Sequence, residues 1–341
     1  GLAADNSYGK SKTADFVDGG VKFGSNINLG RGNSVSLGLG FEMRAPQARN
    51  AFASPEINND FVLNLKNEHV FSSEIGYQLQ SSWLNASFNA YYSYITNVTD
   101  WQNYYYDDIN SFSYVSLTGM TKTYYGLEAG LKFKVCSALD VKLLGTISDA
   151  RIVGNSKVRY MNSTSGEYTD EIVYNDRMRD AGTPLTAASL GISYHSGGWF
   201  VDLNCNYYDR IYLSYAPSYR YASTIENRQT AYNNNTAAND PVYDLITGEI
   251  LPSALEQTKG HGGFMLDGSI GRSIYLKHGS LSINFMVTNI LNNQNITTGG
   301  FEQSRSDYTQ SGNSRAYKFS KNPFKFYAFG TNGMLNVAYK F

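Results

Sequence analysis

Ladders of alternating residues constrain this chain more than any other feature. In the clearest one, Tyr125, Leu127, Ala129, Leu131, Phe133 and Val135 alternate with Gly126, Glu128, Gly130, Lys132 and Lys134. Residues two apart share one face of a strand, so this segment is apolar on one side and small or charged on the other. The rhythm recurs at Val35/Leu37/Leu39/Phe41, Leu84/Ala86/Phe88/Ala90/Tyr92, Ala188/Leu190/Ile192/Tyr194 and Trp199/Val201/Leu203/Cys205/Tyr207. It recurs again at Phe264/Leu266/Gly268/Ile270 and Leu281/Ile283/Phe285/Val287. A last ladder, Leu335, Val337, Tyr339 and Phe341, runs to the final residue. Helical period is nearly absent, and the chain reads as all-β.

Each ladder is, or extends to, about nine to eleven residues, the span of a tilted strand across a bilayer. A soluble sandwich alternates too, so the connections have to separate the two. Short turns fall near residues 29–34, 80–83, 136–139, 195–198 and 276–280. Long polar loops fall near 42–67, 96–121, 151–182, 211–261 and 292–331. Short and long connections alternate throughout, the asymmetry of outer-membrane barrels. A compact soluble domain seldom tolerates so many loops of that length.

Composition agrees. Charged residues are 17% of the chain, below the usual share of about a quarter. Aromatics reach 14%, with 28 tyrosines. No run approaches the ~18 apolar residues of a membrane-spanning helix. The mean hydropathy of −0.37 suits a wall with one lipid face and one wet face. Tyr91, Tyr92 and Tyr94, Tyr124 and Tyr125, and Tyr207 and Tyr208 flank the ladders, as interfacial girdles do.

The ladders give about eleven antiparallel strands, near 16–28, 34–42, 68–80, 83–95, 122–136, 138–150, 183–195, 198–210, 262–276, 280–291 and 332–341. A complete bacterial barrel has an even count. The expectation is therefore a transmembrane β-barrel segment, roughly half of a barrel of the 22-strand class. Residues 1–341 form the C-terminal portion of one barrel domain, starting within an extracellular loop, with neither signal peptide nor plug. The two edges of such a sheet require the missing barrel half, from the N-terminal part of the same polypeptide or from a second chain.

The net charge of −1 and the lack of a basic run exclude a nucleic-acid partner. Cys136 falls at a turn and Cys205 in mid-strand on a non-neighbouring strand, so no disulfide is expected. His69, His195, His261 and His278 are scattered without metal-ligand spacing. Asp107 and Asp108, or Asp170, Glu171, Asp176 and Asp180, offer oxygen ligands but lack the glycine-punctuated rhythm of a calcium loop. No G-x-S-x-G occurs. We expect no catalytic residue, no metal site and no cofactor, and the chain reads as no enzyme.

Binding chemistry concentrates in loop aromatics. One group is Trp101, Tyr104, Tyr105 and Tyr106; the other is Tyr212, Tyr215, Tyr219, Arg220 and Tyr221. Aromatic faces beside Asp, Asn and Arg suit sugars, peptides or aromatic chelates. The same tyrosines equally suit an interface belt or loop packing. On the polar side of the ladders, Glu74, Glu128, Lys132 and Lys134 face lumen water or a plug.

Several short motifs then fall in order along the chain: Phe41-Glu42-Met43-Arg44-Ala45-Pro46, Leu65-Lys66-Asn67-Glu68, Glu74-Ile75-Gly76-Tyr77, Thr183-Pro184, Val287-Thr288-Asn289-Ile290-Leu291-Asn292 and Ala338-Tyr339-Lys340-Phe341. Together they make the chain resemble the C-terminal barrel half of a TonB-dependent receptor, in the style found in Bacteroidetes. The resemblance spans nearly the whole sequence. It implies the outer membrane of a Gram-negative cell, contact with its lipid, and ligand capture at the extracellular loops. Energised uptake would then need a plug and a TonB box engaging the TonB complex, neither of which this sequence contains. A surface lipoprotein is a further partner compatible with the resemblance. Siderophore, cobalamin, glycan and peptide receptors share this wall. Two other readings stay open: a plugless porin or adhesin-like barrel, and a secreted soluble β-protein that binds glycans through tyrosine loops.

In the family the last strand is read by the insertion machinery, which gives Leu335, Val337, Tyr339 and Phe341 the role of an assembly signal. Phe341→Ala in the full-length protein is expected to lower the amount assembled in the outer membrane, measured by surface labelling. Unchanged surface levels would count against that role.

Overall fold

The computed structural model describes residues 11–52, 60–106, 111–161, 168–234, 239–311 and 314–341. They form fifteen strands. In chain order these are β1 (Gly19–Gly30), β2 (Asn33–Arg44), β3 (Glu68–Gln80), β4 (Leu84–Tyr106), β5 (Ser111–Cys136), β6 (Leu139–Val153), β7 (Ser156–Met161), β8 (Tyr168–Val173), β9 (Thr186–Ser196), β10 (Trp199–Asp209), β11 (Gly263–Leu276), β12 (Gly279–Thr288), β13 (Thr297–Ser311), β14 (Ser314–Tyr327) and β15 (Asn332–Lys340). Two helices, α1 (Ala222–Asn233) and α2 (Pro252–Leu255), lie between β10 and β11.

The main sheet is an antiparallel meander in the order β1-β2-β3-β4-β5-β6-β9-β10-β11-β12-β15. These are the eleven strands that the ladders anticipate. Register keeps their faces in phase. Leu37 lies beside Ile75, Ile75 beside Ala90, Ala90 beside Leu127 and Leu127 beside Ile147. On the opposite face Gly38, Glu74, Tyr91, Gly126 and Ser148 follow one another in the same way. A slip of one residue would exchange the two faces, so the alternation fixes the register.

No soluble core covers the apolar face. Leu127 is 64% exposed, Ile147 62% and Leu335 63%. The polar-side residues Glu128 and Lys132 are exposed as well. A sheet open on both faces, one hydrocarbon-like and one polar, is built for two different solvents.

Connections at one end of the sheet are tight. Gly197 and Gly198, at φ +56° and +81°, join β9 to β10 in a two-residue hairpin that needs left-handed backbone at both positions. Elsewhere a glycine makes room across strands. The Phe200 ring lies over Gly271, where a Cβ would collide with it.

At the other end the expected loops contain regular structure. The 96–121 connection is not a loop but the continuation of β4 and β5, whose backbones stay paired from Tyr106↔Ser111 downward. The 151–182 segment holds β7 and β8. The 292–331 segment is largely the β13–β14 hairpin, a separate two-stranded sheet. These stretches lack the long apolar ladders of the wall, so the pattern that reveals the wall is missing there.

In a bilayer, Leu127→Arg is expected to cost about 2–4 kcal/mol, whereas Glu128→Gln stays within about 0.5 kcal/mol. Denaturant unfolding from lipid vesicles checks this. Equal costs would overturn the assignment of faces.

Candidate functional site

Above the wall, the long-connection end is a packed layer. The upper part of β5 pairs with β7 from Val115↔Tyr160 to Thr118↔Lys157, and β7 pairs with β8. Val115, Leu117, Met120, Ile152, Val158 and Val173 form an apolar cluster with Tyr215 and Tyr221. The Tyr221 ring stacks on Tyr160 at 5.4 Å with an interplanar angle of 2°. The segment after β2 also packs on this extension. Asn50 donates to the Thr99 carbonyl at 2.9 Å, and the Ser116 hydroxyl donates to the Phe52 carbonyl at 3.2 Å.

A buried ion pair joins two connections. Arg220 and Glu302 both have side-chain exposure of 0%, and Arg220 Nη1 donates to Glu302 Oε2 at 2.7 Å. Three more guanidinium N–H groups donate to the carbonyls of Ala216, Leu255 and Glu256. Glu302 also accepts from the backbone N–H groups of Ala216 and Thr258. Lys321 lies 3.5 Å from its other oxygen and donates to the Glu256 carbonyl. Burial opposes the Glu302 charge, but Arg220, Lys321 and the Thr258 N–H outweigh it and hold its pKa below the ordinary carboxylate value. For Lys321, burial and the like charge of Arg220 outweigh Glu302, and its pKa falls. A buried pair held by this many hydrogen bonds is rigid, because losing one partner leaves an uncompensated charge.

Beneath this layer β1–β5 carry a groove of about 870 Å³ lined by Lys22, Glu74, Asn89, Tyr91 and Glu128, with glycines and serines and the apolar Phe23, Leu37 and Leu39. Near its upper rim Lys122 Nζ lies 3.1 Å from Asp180 and 3.6 Å from Asp100, and the Tyr124 hydroxyl donates to Asp180 at 2.6 Å.

The structure sorts the expected loop aromatics into two groups. Tyr215, Arg220 and Tyr221 are sealed inside the layer, at 7%, 0% and 0% exposure. Here the expectation of ligand-facing side chains needs correcting: an apolar cluster and a buried ion pair occupy them. Burial also pushes the Tyr215 phenol pKa up. Trp101, Tyr212 and Tyr219 are half-buried, and each ring carries a guanidinium. Arg49 lies 4.2 Å from the Trp101 centroid, Arg179 4.8 Å from Tyr212 and Arg228 4.0 Å from Tyr219. The side chains of Tyr104, Tyr105 and Tyr106 lie outside the described residues, as do Asp107 and Asp108.

The other loop carboxylates are dispersed. Asp170 pairs with Arg159 at 2.6 Å, Glu171 accepts from Ser223, Asp176 from the Gly154 N–H, and Asp180 serves Lys122 and Tyr124. Among the described residues no three His, Cys, Asp or Glu side chains converge as a metal site. Glu302 and Lys321 escaped the sequence reading because Glu302 stands 82 positions from Arg220 in a stretch without motif or periodicity.

Glu302→Gln is expected to weaken docking of the β13–β14 hairpin by about 3–5 kcal/mol, seen as faster proteolysis within Thr297–Tyr327. A folded pKa below the unfolded one adds stability that is complete above the unfolded value and lost as pH falls through the folded one. The native layer therefore loosens in acid, and the variant lacks that component. Proteolysis rates indistinguishable from those of the native protein would refute the latch.

The comparisons with known proteins complete the picture. The model of the TonB dependent receptor-like β-barrel family matches residues 22–289. Among solved structures, the siderophore receptor PiuA from Acinetobacter baumannii superposes with a TM-score of 0.56 at 14% identity, covering 94% of this chain and 35% of that one. The copper transporter OprC gives 0.52 at 12% identity, covering 94% and 40%. The FrpB iron transporter from Neisseria meningitidis gives 0.50 at 12%, covering 94% and 39%. At such identities the likeness is one of fold, and this chain spans only 35–40% of these three proteins' length. No curated protein sequence matches the chain. The family match covers far more than half of the residues and coincides with the two-faced meander, and on that ground the chain belongs to the TonB-dependent receptor β-barrel family.

Proposed function

We propose that this chain is the C-terminal part of the barrel of an outer-membrane receptor that captures a solute at its extracellular loops and passes it along the lumen wall. The observation that carries the reading is the groove that holds Lys22, Glu74, Asn89, Tyr91 and Glu128, set behind a continuous apolar face within a matched family. Such a wall offers a solute hydrogen-bonding groups on one side and lipid on the other. The remaining barrel strands and a plug complete the pore, because β1 and β15 each have one neighbour among the described strands and hydrocarbon does not tolerate unpaired edges.

In this reading the plug couples to the TonB complex, the protein resides in the outer membrane, and a surface lipoprotein is an additional partner. No covalent chemistry takes place. Trp101, Tyr212 and Tyr219 supply the ligand-facing surface, and Tyr104, Tyr105 and Tyr106 join them on the strength of the sequence alone. Tyr215, Arg220 and Tyr221 hold that surface from beneath. Leu335, Val337, Tyr339 and Phe341, aligned on the apolar face of β15 and just beyond it, present the assembly signal to the insertion machinery.

The test is uptake by cells expressing the full-length protein, offered ferric siderophores, cobalamin, oligosaccharides or peptides as the limiting nutrient. Growth on one class is expected to require both the protein and a functional TonB complex, with surface binding retained when the complex is removed. Trp101→Ala is expected to weaken capture about tenfold. Uptake that persists without the complex, with steady conductance in planar bilayers, would mark a plugless pore and defeat the proposal.

A further inference from the structure

Three grooves on the side of the sheet that carries Glu128 run into one another. The groove of about 870 Å³ described above shares Asn89 and Glu128 with a second of about 430 Å³. The second shares Ser87, Gly130 and Leu144 with a third of about 320 Å³. Together they form one track that descends along the lumen wall toward the tight turns. Lys132 and Lys142 line its lowest part, and Lys132 stands only four residues before the end of β5 at Cys136.

The charges along the track are separated by sign. Glu128 stands where the first two grooves join, and Glu74 lies on the far side of β4 from it, opposite Tyr91. Lys22 lines only the first groove and lies 3.6 Å from Glu42. At the lower end Lys132 is directly opposite Lys142, an arrangement in which like charges repel. Asp140 takes Lys132 at 3.0 Å, and Lys134, two positions lower on the same face, adds a further exposed ammonium. Neither Glu128 nor Lys142 has an ion-pair partner among the described residues, and both are exposed. Gly191 is the neighbour of Lys142 on β9, so no side chain covers the ammonium from that strand.

Glu128 and Lys132 are four residues apart on β5, roughly 13 Å at the rise of a strand, and Lys142 sits at the height of Lys132. A negative group above and a positive pair below, joined by one groove, match a solute with an amine at one end and a carboxylate at the other. An extended peptide advances by at most about 3.3–3.6 Å per residue, so about four residues reach from one charge to the other. Between the two ends the floor offers the Ser87 hydroxyl, the bare backbone of Gly130 and the apolar Leu144. These suit a peptide unit, a close approach and a small side chain. A solute that is only acidic meets repulsion at Glu128, and one that is only basic meets it at Lys142.

We propose that this track binds a short zwitterionic peptide of about four residues, its α-amine at Glu128 and its α-carboxylate at Lys142 beside Lys132. The inference rests on the receptor reading above and names the class of solute that the lumen wall reads. It also gives the solute a direction, carboxylate first toward the tight turns.

The test is equilibrium dialysis of the purified full-length protein in detergent against radiolabelled tetra-alanine, its C-terminal amide or its N-acetyl form. The free-ended peptide is expected to bind about fivefold more tightly than either blocked one. Lys142→Gln is expected to erase the preference for the free carboxylate and keep that for the free amine, and Glu128→Gln to do the reverse. Dialanine, too short to reach both charges, is expected to bind no better than the blocked tetrapeptides. Equal binding of the three tetrapeptides, or no binding of any, would overturn the proposal. So would loss of both preferences together in each variant, or variants that bind like the native protein, which would place the peptide elsewhere. Failure of the receptor reading looks different: uptake would then persist without the TonB complex while these preferences remained.

Discussion

The wall depends on one constraint. Each strand must satisfy its backbone hydrogen bonds through its neighbours, because hydrocarbon offers none. Once the backbone is paired edge to edge, side chains on the two faces are free to meet different solvents. Leu127 and Ile147 then remain exposed on one side and Glu128 and Lys132 on the other without penalty. The in-phase rows from Leu37 to Ile147, and from Gly38 to Ser148, follow from that pairing. So does the close fit of Phe200 over Gly271, which a bulkier residue would break.

The loop layer obeys a different rule. It sits outside the bilayer and must bury its own core, as a soluble domain does. It does so with the apolar cluster around Val115, Leu117 and Tyr221 and with the buried Arg220–Glu302 pair. The half-buried aromatics are braced by arginines of the same chain, as Trp101 is by Arg49 and Tyr219 by Arg228. Aromatic rings braced in this way are held in place by contacts within the chain itself. Where layer and wall meet, Asp149 pairs with Arg179 and Arg210 and joins the two.

The wall strands were legible from the residues because they answer to a period of two imposed by two solvents. Every one of the eleven appears in the meander, and the tight turns fall where they were expected. The upper continuations of β4 and β5, and the strands β7, β8, β13 and β14, are illegible because no long apolar ladder marks them. The loop aromatics were visible as a composition, but whether a given tyrosine faces outward depends on what packs against it. Tyr215 and Tyr219 read alike in sequence, yet one is sealed against Asn175 and the other stays half-open under Arg228.

Local order along the chain thus settled which segments cross, which side of each is apolar and which connections are tight. These are properties of residues one or two positions apart, and alternation and turn chemistry encode them directly. Folding in three dimensions decided which charges meet. Arg220 finds Glu302 across 82 positions, and Arg151 comes opposite Arg179 only because the segment before β9 returns along β6. No periodicity records such meetings, because they depend on how long connections close over one another.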